Sequence, residues 1–137
     1  ELGLAICRRL NIRPKPDNAP LVATLYALLA NMRNDGSFEG LFYDWFGGRL
    51  SETRALSGPR AANYTGETFT AFHDLLKTYD TAAPEKLDYP RFGQTYPETL
   101  LIDEIEAIWA QIALEDDWSP FEAKLAAIEE YRQALAL

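Results

Sequence analysis

Asn18-Ala19-Pro20-Leu21-Val22-Ala23-Thr24-Leu25-Tyr26-Ala27-Leu28-Leu29-Ala30-Asn31-Met32 is the stretch that decides the fold class. Leu21, Leu25, Leu28, Leu29 and Met32 recur at spacings of three and four. That is the period of a helix with one face turned to a core. Asn18 stands where an N-cap is expected, and Pro20 falls in the first turn, where proline's missing N–H costs nothing. Asp35-Gly36 is expected to stop the helix.

The same period extends outward in both directions. Upstream, Leu2, Ile6 and Leu10 share a face, and Arg8 and Arg9 sit where a helix dipole favours bases. Pro14 and Pro16 mark residues 11–18 as a connector. Downstream, Ser37 and Glu39 open an aromatic helix carrying Phe38, Leu41, Phe42, Trp45 and Phe46, which Gly47-Gly48 closes. Ser51-Glu52-Thr53-Arg54 starts a short helix or turn closed by Gly58-Pro59, and residues 59–64 add a helical turn or two. Residues 66–79 form a helix with Phe69, Phe72, Leu75, Leu76 and Tyr79 on one face. Residues 80–94 hold Pro84, Pro90 and Gly93 without a period, and predict a long ordered loop pinned by Leu87, Tyr89 and Phe92. Thr95-Tyr96-Pro97-Glu98 and Ser119-Pro120-Phe121-Glu122 read as capping boxes. Their helices carry Leu101, Ile105, Ile108, Trp109 and Ile112, then Phe121, Leu125, Ile128, Tyr131 and Leu135. No stretch alternates apolar and polar residues as a strand does. The expected fold is all-α: one domain over residues 1–137, an irregular multi-helix bundle of about six to eight helices with one long ordered loop.

Composition agrees with a globular protein. The chain has 137 residues, 47% hydrophobic and 25% charged, enough to bury a core and too apolar for global disorder. Cys7 is the only cysteine, so no intrachain disulfide forms, and with His73 the only histidine little is left for a zinc or haem site. A cytoplasmic setting is the simplest expectation from a single cysteine. The net charge of −8 argues against nucleic acid and anionic membranes as partners. No run approaches the about 20 apolar residues of a membrane span. The charge is also unevenly placed. Residues 1–96 hold eleven bases and eleven acids, whereas residues 97–137 hold ten acids and two bases, Lys124 and Arg132. Two solvated helix faces are the plain reading; a face that meets a basic surface is the sharper one.

Few residues point to chemistry. Gly47-Gly48 does not match a phosphate-binding pattern and reads as a helix end. Cys7 is expected to be a buried, inert thiol, and His73 an ordinary helix residue rather than a catalytic base. Asp103 and Glu106 share a helix face, and Glu115, Asp116 and Asp117 cluster at a turn, but the spacing of a calcium loop is absent. A small hydrolase built on these acids is the weakest reading. Trp45, Trp109 and Trp118 are expected to anchor cores, which makes Trp109→Ala a costly change.

Two blocks carry a resemblance. One is Leu41-Phe42-Tyr43-Asp44-Trp45-Phe46-Gly47-Gly48. The other is Leu101-Ile102-Asp103-Glu104-Ile105-Glu106 with Ile108-Trp109, continuing through Asp116-Asp117-Trp118-Ser119-Pro120-Phe121-Glu122-Ala123-Lys124-Leu125. Together they resemble the C-terminal region of bacterial members of the selenoprotein O family, kinase-like protein adenylyltransferases, over roughly residues 20–135. The resemblance implies a parent enzyme that transfers AMP from ATP to protein hydroxyls with a divalent metal. That chemistry needs a nucleotide lysine, a metal-binding aspartate and asparagine and a glycine-containing loop. None of those motifs stands in this chain, so no catalytic, cofactor or metal residue is carried over. The family's selenocysteine or terminal cysteine is also absent from the final Ala134-Leu135-Ala136-Leu137. Opening at Glu1 rather than methionine fits a C-terminal fragment of a longer protein.

The expected role is therefore to support such a core or to contact its substrate protein. The alternative is a free-standing all-α interaction module with an acidic surface. Asp44, Trp45, Asp103, Glu106, Asp116 and Asp117 are the expected interaction surface, facing the rest of the parent chain or a protein partner.

Overall fold

The computed structural model describes residues 1–32, 37–94, 97 and 101–135. The Asp35-Gly36 stop, the Ser37 side chain and, Pro97 aside, the box at 95–98 lie outside them. Among the described residues the chain is all-α, with seven helices and no strand. They are α1 (Leu2–Arg9), α2 (Ala19–Asn31), α3 (Ser37–Asp44), α4 (Glu52–Ser57), α5 (Gly66–Leu76), α6 (Ile102–Glu115) and α7 (Ser119–Leu135). The chain divides into two compact units, Glu1–Tyr96 and Pro97–Leu137. This boundary is also where the charge changes, from a neutral sum to −8.

The first unit owns the contiguous apolar core. Leu21, Leu25 and Leu28 of α2 are buried against α5, whose Phe69, Phe72 and Leu76 complete the contact. Ile6, Cys7 and Leu10 come in from α1, and Leu41, Phe42 and Trp45 from α3 and its end. Asn18 does precede α2, but its side chain does not cap the helix. Its Oδ1 accepts from the Lys15 N–H at 2.9 Å and from the Tyr79 hydroxyl at 2.9 Å, while Asp17 Oδ1 accepts from the Ala19 N–H at 3.0 Å.

Gly47 and Gly48 have φ of +103° and +61°, left-handed geometry that glycine adopts without strain. The helix-end reading is corrected at Gly47: α3 already ends at Asp44, and the Gly47 N–H donates to the Leu10 carbonyl at 2.8 Å, so Gly47 leads into the 3-10 turn Gly48–Ser51. Packing adds a second reason at Gly48, since a Cβ there would come 2.8 Å from Ile12 Cγ2. The 80–94 segment is tied to this corner. Asn11, itself at φ +52°, donates through Nδ2 to the Ala83 carbonyl at 2.9 Å and accepts the Ala83 N–H at 3.0 Å. The segment winds into two 3-10 turns, Pro84–Asp88 and Pro90–Gly93. Phe92 is buried and stacked on Phe46, and Leu87 is half-buried. Tyr89, expected as a third pin, is exposed instead, so Phe92 and the backbone ties carry the anchoring.

The second unit is a helical hairpin. Asp116, at φ +49°, ends α6, and the Asp117 N–H donates to the Gln111 carbonyl at 3.2 Å. Lys124 of α7 is buried with its Nζ 2.9 Å from Glu104 Oε1 of α6. Tyr131 and Ala134 are buried, but α6 buries none of its residues.

Candidate functional site

Two regions gather polar or aromatic side chains tightly enough to be judged as sites. The first is inside the Glu1–Tyr96 unit. Asp44, at the C-terminal end of α3, is 3% exposed and takes both arms of Arg60, at 2.7 and 2.8 Å. The Tyr64 hydroxyl donates to Asp44 Oδ2 at 2.6 Å. Burial, then the Asp44 charge, pushes the Tyr64 phenol above its ordinary range. Gly40, one turn before Asp44, is what lets Arg60 lie across the helix. A Cβ at that position would sit 2.5 Å from Arg60 Cδ. Trp45 packs edge-on to Tyr64 and Phe72 and is fully buried. Every oxygen of this carboxylate already has a partner inside the fold, so the cluster ties the end of α3 to the 60–64 segment. The expectation that Asp44 and Trp45 present a surface is corrected: burial removes both from solvent. Sequence pattern alone misses Arg60, sixteen residues on, although the Gly40 to Asp44 spacing of one helical turn is a signal of close approach.

The remaining candidate nucleophile and base serve packing. Cys7 is fully buried, its thiol pushed up by burial, with Sγ 3.7 Å from Asn18 Oδ1. The His73 ring stacks on Phe69 at 5.1 Å between centroids, and its Nε2 lies 2.6 Å from Glu52 Oε1. That proximity lacks hydrogen-bond geometry. Among the described residues no group of three or more His, Cys, Asp or Glu side chains converges as a metal site would require.

The second region is the surface of the α6–α7 hairpin within the Pro97–Leu137 unit. Leu101, Ile102, Ile105 and Trp109 stand out to solvent, Trp109 at 63%. Ile102, Ile105 and Trp109 follow at spacings of three and four, so they form one strip along α6. This overturns the expectation that Trp109 anchors a core. Leu114 is 81% exposed, and Trp118, Phe121 and Leu125 are exposed on the turn and on α7. Asp103 and Glu106 are exposed beside the α6 strip. Asp116 and Asp117 do other work. Asp116 Oδ1 accepts from Trp118 Nε1 at 3.0 Å. Asp117 Oδ1 accepts from the Ser119 N–H at 3.0 Å and the Ser119 hydroxyl at 2.7 Å, which lowers the Asp117 pKa. Asp117, not the expected Ser119, therefore caps α7. Of the six expected surface residues, Asp103 and Glu106 lie together along the strip, and the two turn aspartates shape the hairpin.

Among the described residues, no helix is long and apolar enough to cross a membrane. Comparison of the chain with protein-family models, with characterised proteins and with solved structures returns no significant match.

Proposed function

We propose that this chain is a non-catalytic helical region whose α6–α7 hairpin holds another protein surface. Its parent, on this proposal, is a selenoprotein O-like protein adenylyltransferase with the kinase-like core outside residues 1–137. The observation that supports docking is the exposed strip of Ile102, Ile105 and Trp109 on α6, with Leu101 exposed just before it. Apolar surface of this kind marks contact sites, and tryptophan is enriched among the residues that dominate binding. The family part rests on the two sequence blocks. In that setting ATP and the divalent metal belong to the core, and this chain supports the core or contacts the substrate protein in the cytoplasm.

Reading the coding sequence upstream of Glu1 and assaying AMP transfer test the family part. A kinase-like core upstream, active with ATP and metal while residues 1–137 alone transfer nothing, is the expected outcome. Transfer by the isolated chain, or an upstream sequence without that core, sinks it. The second reading, a free-standing interaction module, is favoured by the concentration of the whole net charge in residues 97–137.

A further inference from the structure

We propose that the acid-flanked strip of the hairpin is a docking site for a basic amphipathic helix of a partner protein. This rests on the docking reading above and specifies the partner's chemistry.

The argument starts from shape. Ile102 to Trp109 covers two turns of α6, about 10 Å of apolar edge, the length over which a partner helix places anchors at i, i+3 and i+7. Trp109 is the largest side chain on that edge and the natural anchor. Charge then selects among partners. Asp103 and Glu106 run along the α6 strip, and Glu122 lies three residues before Leu125 on α7. The unit's two bases are already engaged. Lys124 Nζ lies 2.9 Å from Glu104, and Arg132 makes two bonds of 2.7 and 2.8 Å to Glu129. Neither is left to neutralise Asp103, Glu106 or Glu122. A second copy would bring another −8 to the contact, and its Glu1–Tyr96 unit, which sums to zero, offers no offset. An anionic membrane is repelled for the same reason. A helix with leucine-like anchors and flanking lysines matches the strip on both counts: its anchors meet the apolar edge, and its charges speed encounter and set orientation.

The test is fluorescence anisotropy with the full chain and three labelled probes: a lysine–leucine amphipathic helical peptide, its glutamate–leucine counterpart and a scrambled lysine–leucine control. The patterned basic peptide should bind at least about tenfold more tightly than the other two. Raising NaCl from about 50 to about 500 mM should weaken it strongly, because exposed charges are screened. Trp109→Ala should weaken binding about tenfold with helix content unchanged. Asp103→Lys combined with Glu106→Lys should also weaken it. Binding indifferent to peptide charge, or surviving the double lysine variant, overturns the basic partner and leaves the docking reading standing. Binding of neither patterned peptide overturns the basic partner too. Acrylamide quenching of Trp109 in a Trp118→Phe background then separates the two readings: Trp109 open to quencher leaves docking intact, and Trp109 shielded removes it. A dimer by sedimentation that Trp109→Ala dissolves assigns the strip to a second copy and overturns the proposal.

Discussion

The Glu1–Tyr96 and Pro97–Leu137 units use helices of the same apolar period and treat them in opposite ways. In α2 and α5 the period becomes burial: Leu21, Leu25 and Leu28 meet Phe69, Phe72 and Leu76, and solvent is excluded. In α6 the same period produces a strip that faces water, with Trp109 at 63% exposure against full burial of Trp45. The charges diverge likewise. The first unit balances its charges and encloses one carboxylate, Asp44, within Arg60 and Tyr64. In the second, Asp103, Glu106, Asp116, Glu122 and Glu129 are exposed. A repeat of three and four says which residues travel together on a helix, and nothing about what covers them.

The sharpest way to break this comparison is a pair of substitutions. Trp45→Ala should cost about 3–5 kcal/mol, as expected when a large buried ring leaves a cavity. Trp109→Ala should cost within about 0.5 kcal/mol, as for other surface changes. Urea denaturation followed by circular dichroism checks both, and equal losses would erase the distinction between the units. Close behind comes Asp44→Ala. It leaves Arg60 buried without its counter-charge and should cost about 3–5 kcal/mol, the usual result of breaking a buried pair. A loss under about 1 kcal/mol would mean water reaches the cluster, as at a surface pair. Gly47→Ala forces a Cβ into left-handed backbone beside Leu87 and should cost about 1–3 kcal/mol.

The smallest effects lie at the extremes of pH, and the two units should respond at opposite ends. In the first unit burial raises Tyr64, Tyr43 and Tyr79 from an ordinary 10.0. Their contribution is complete below pH 10 and is lost as pH rises above it, because the unfolded phenols ionise first. In the second, hydrogen bonds from Arg132 and Gln133 hold Glu129 down to about 2 from an ordinary 4.5, and Ser119 lowers Asp117. That contribution is present above pH 4.5 and fades as pH falls toward 2. Both carboxylates are open to solvent, so the acid effect should be slight. Trp45 fluorescence should report alkaline loosening, and Trp109 and Trp118 emission the acid change. Acid loosening sensed by Trp45 before the hairpin tryptophans respond would reverse the assignment.

Much of the fold was legible in the residues because helix periods, prolines and glycines act locally. The elements from α1 to α5 and α7 fall close to where spacing predicts them, whereas α6 begins at Ile102, after an extended Leu101, later than the 95–98 box predicts. The Cys7 thiol is buried as expected. Less was legible at the caps. Asn18 occupies the cap position, but Tyr79, sixty-one residues later, and Lys15 claim its side chain. Asp117 takes the role that Ser119 was expected to fill because it precedes the helix, where its oxygen meets the first N–H. The candidate surface split along the same line. Asp103 and Glu106 are neighbours through helix geometry alone, whereas the fate of Asp44 depended on Arg60 arriving from a separate segment.

By itself the sequence determined the helical class, the positions of most turns and the placement of the whole net charge in residues 97–137. These follow from backbone preferences and side-chain spacing within a few residues. Only the tertiary structure decided which stripes became core, that Asp44 and Trp45 vanish into it, and that Trp109 stays in water. Burial is a property of what packs against a face, and that partner lies far away along the chain or belongs to another molecule.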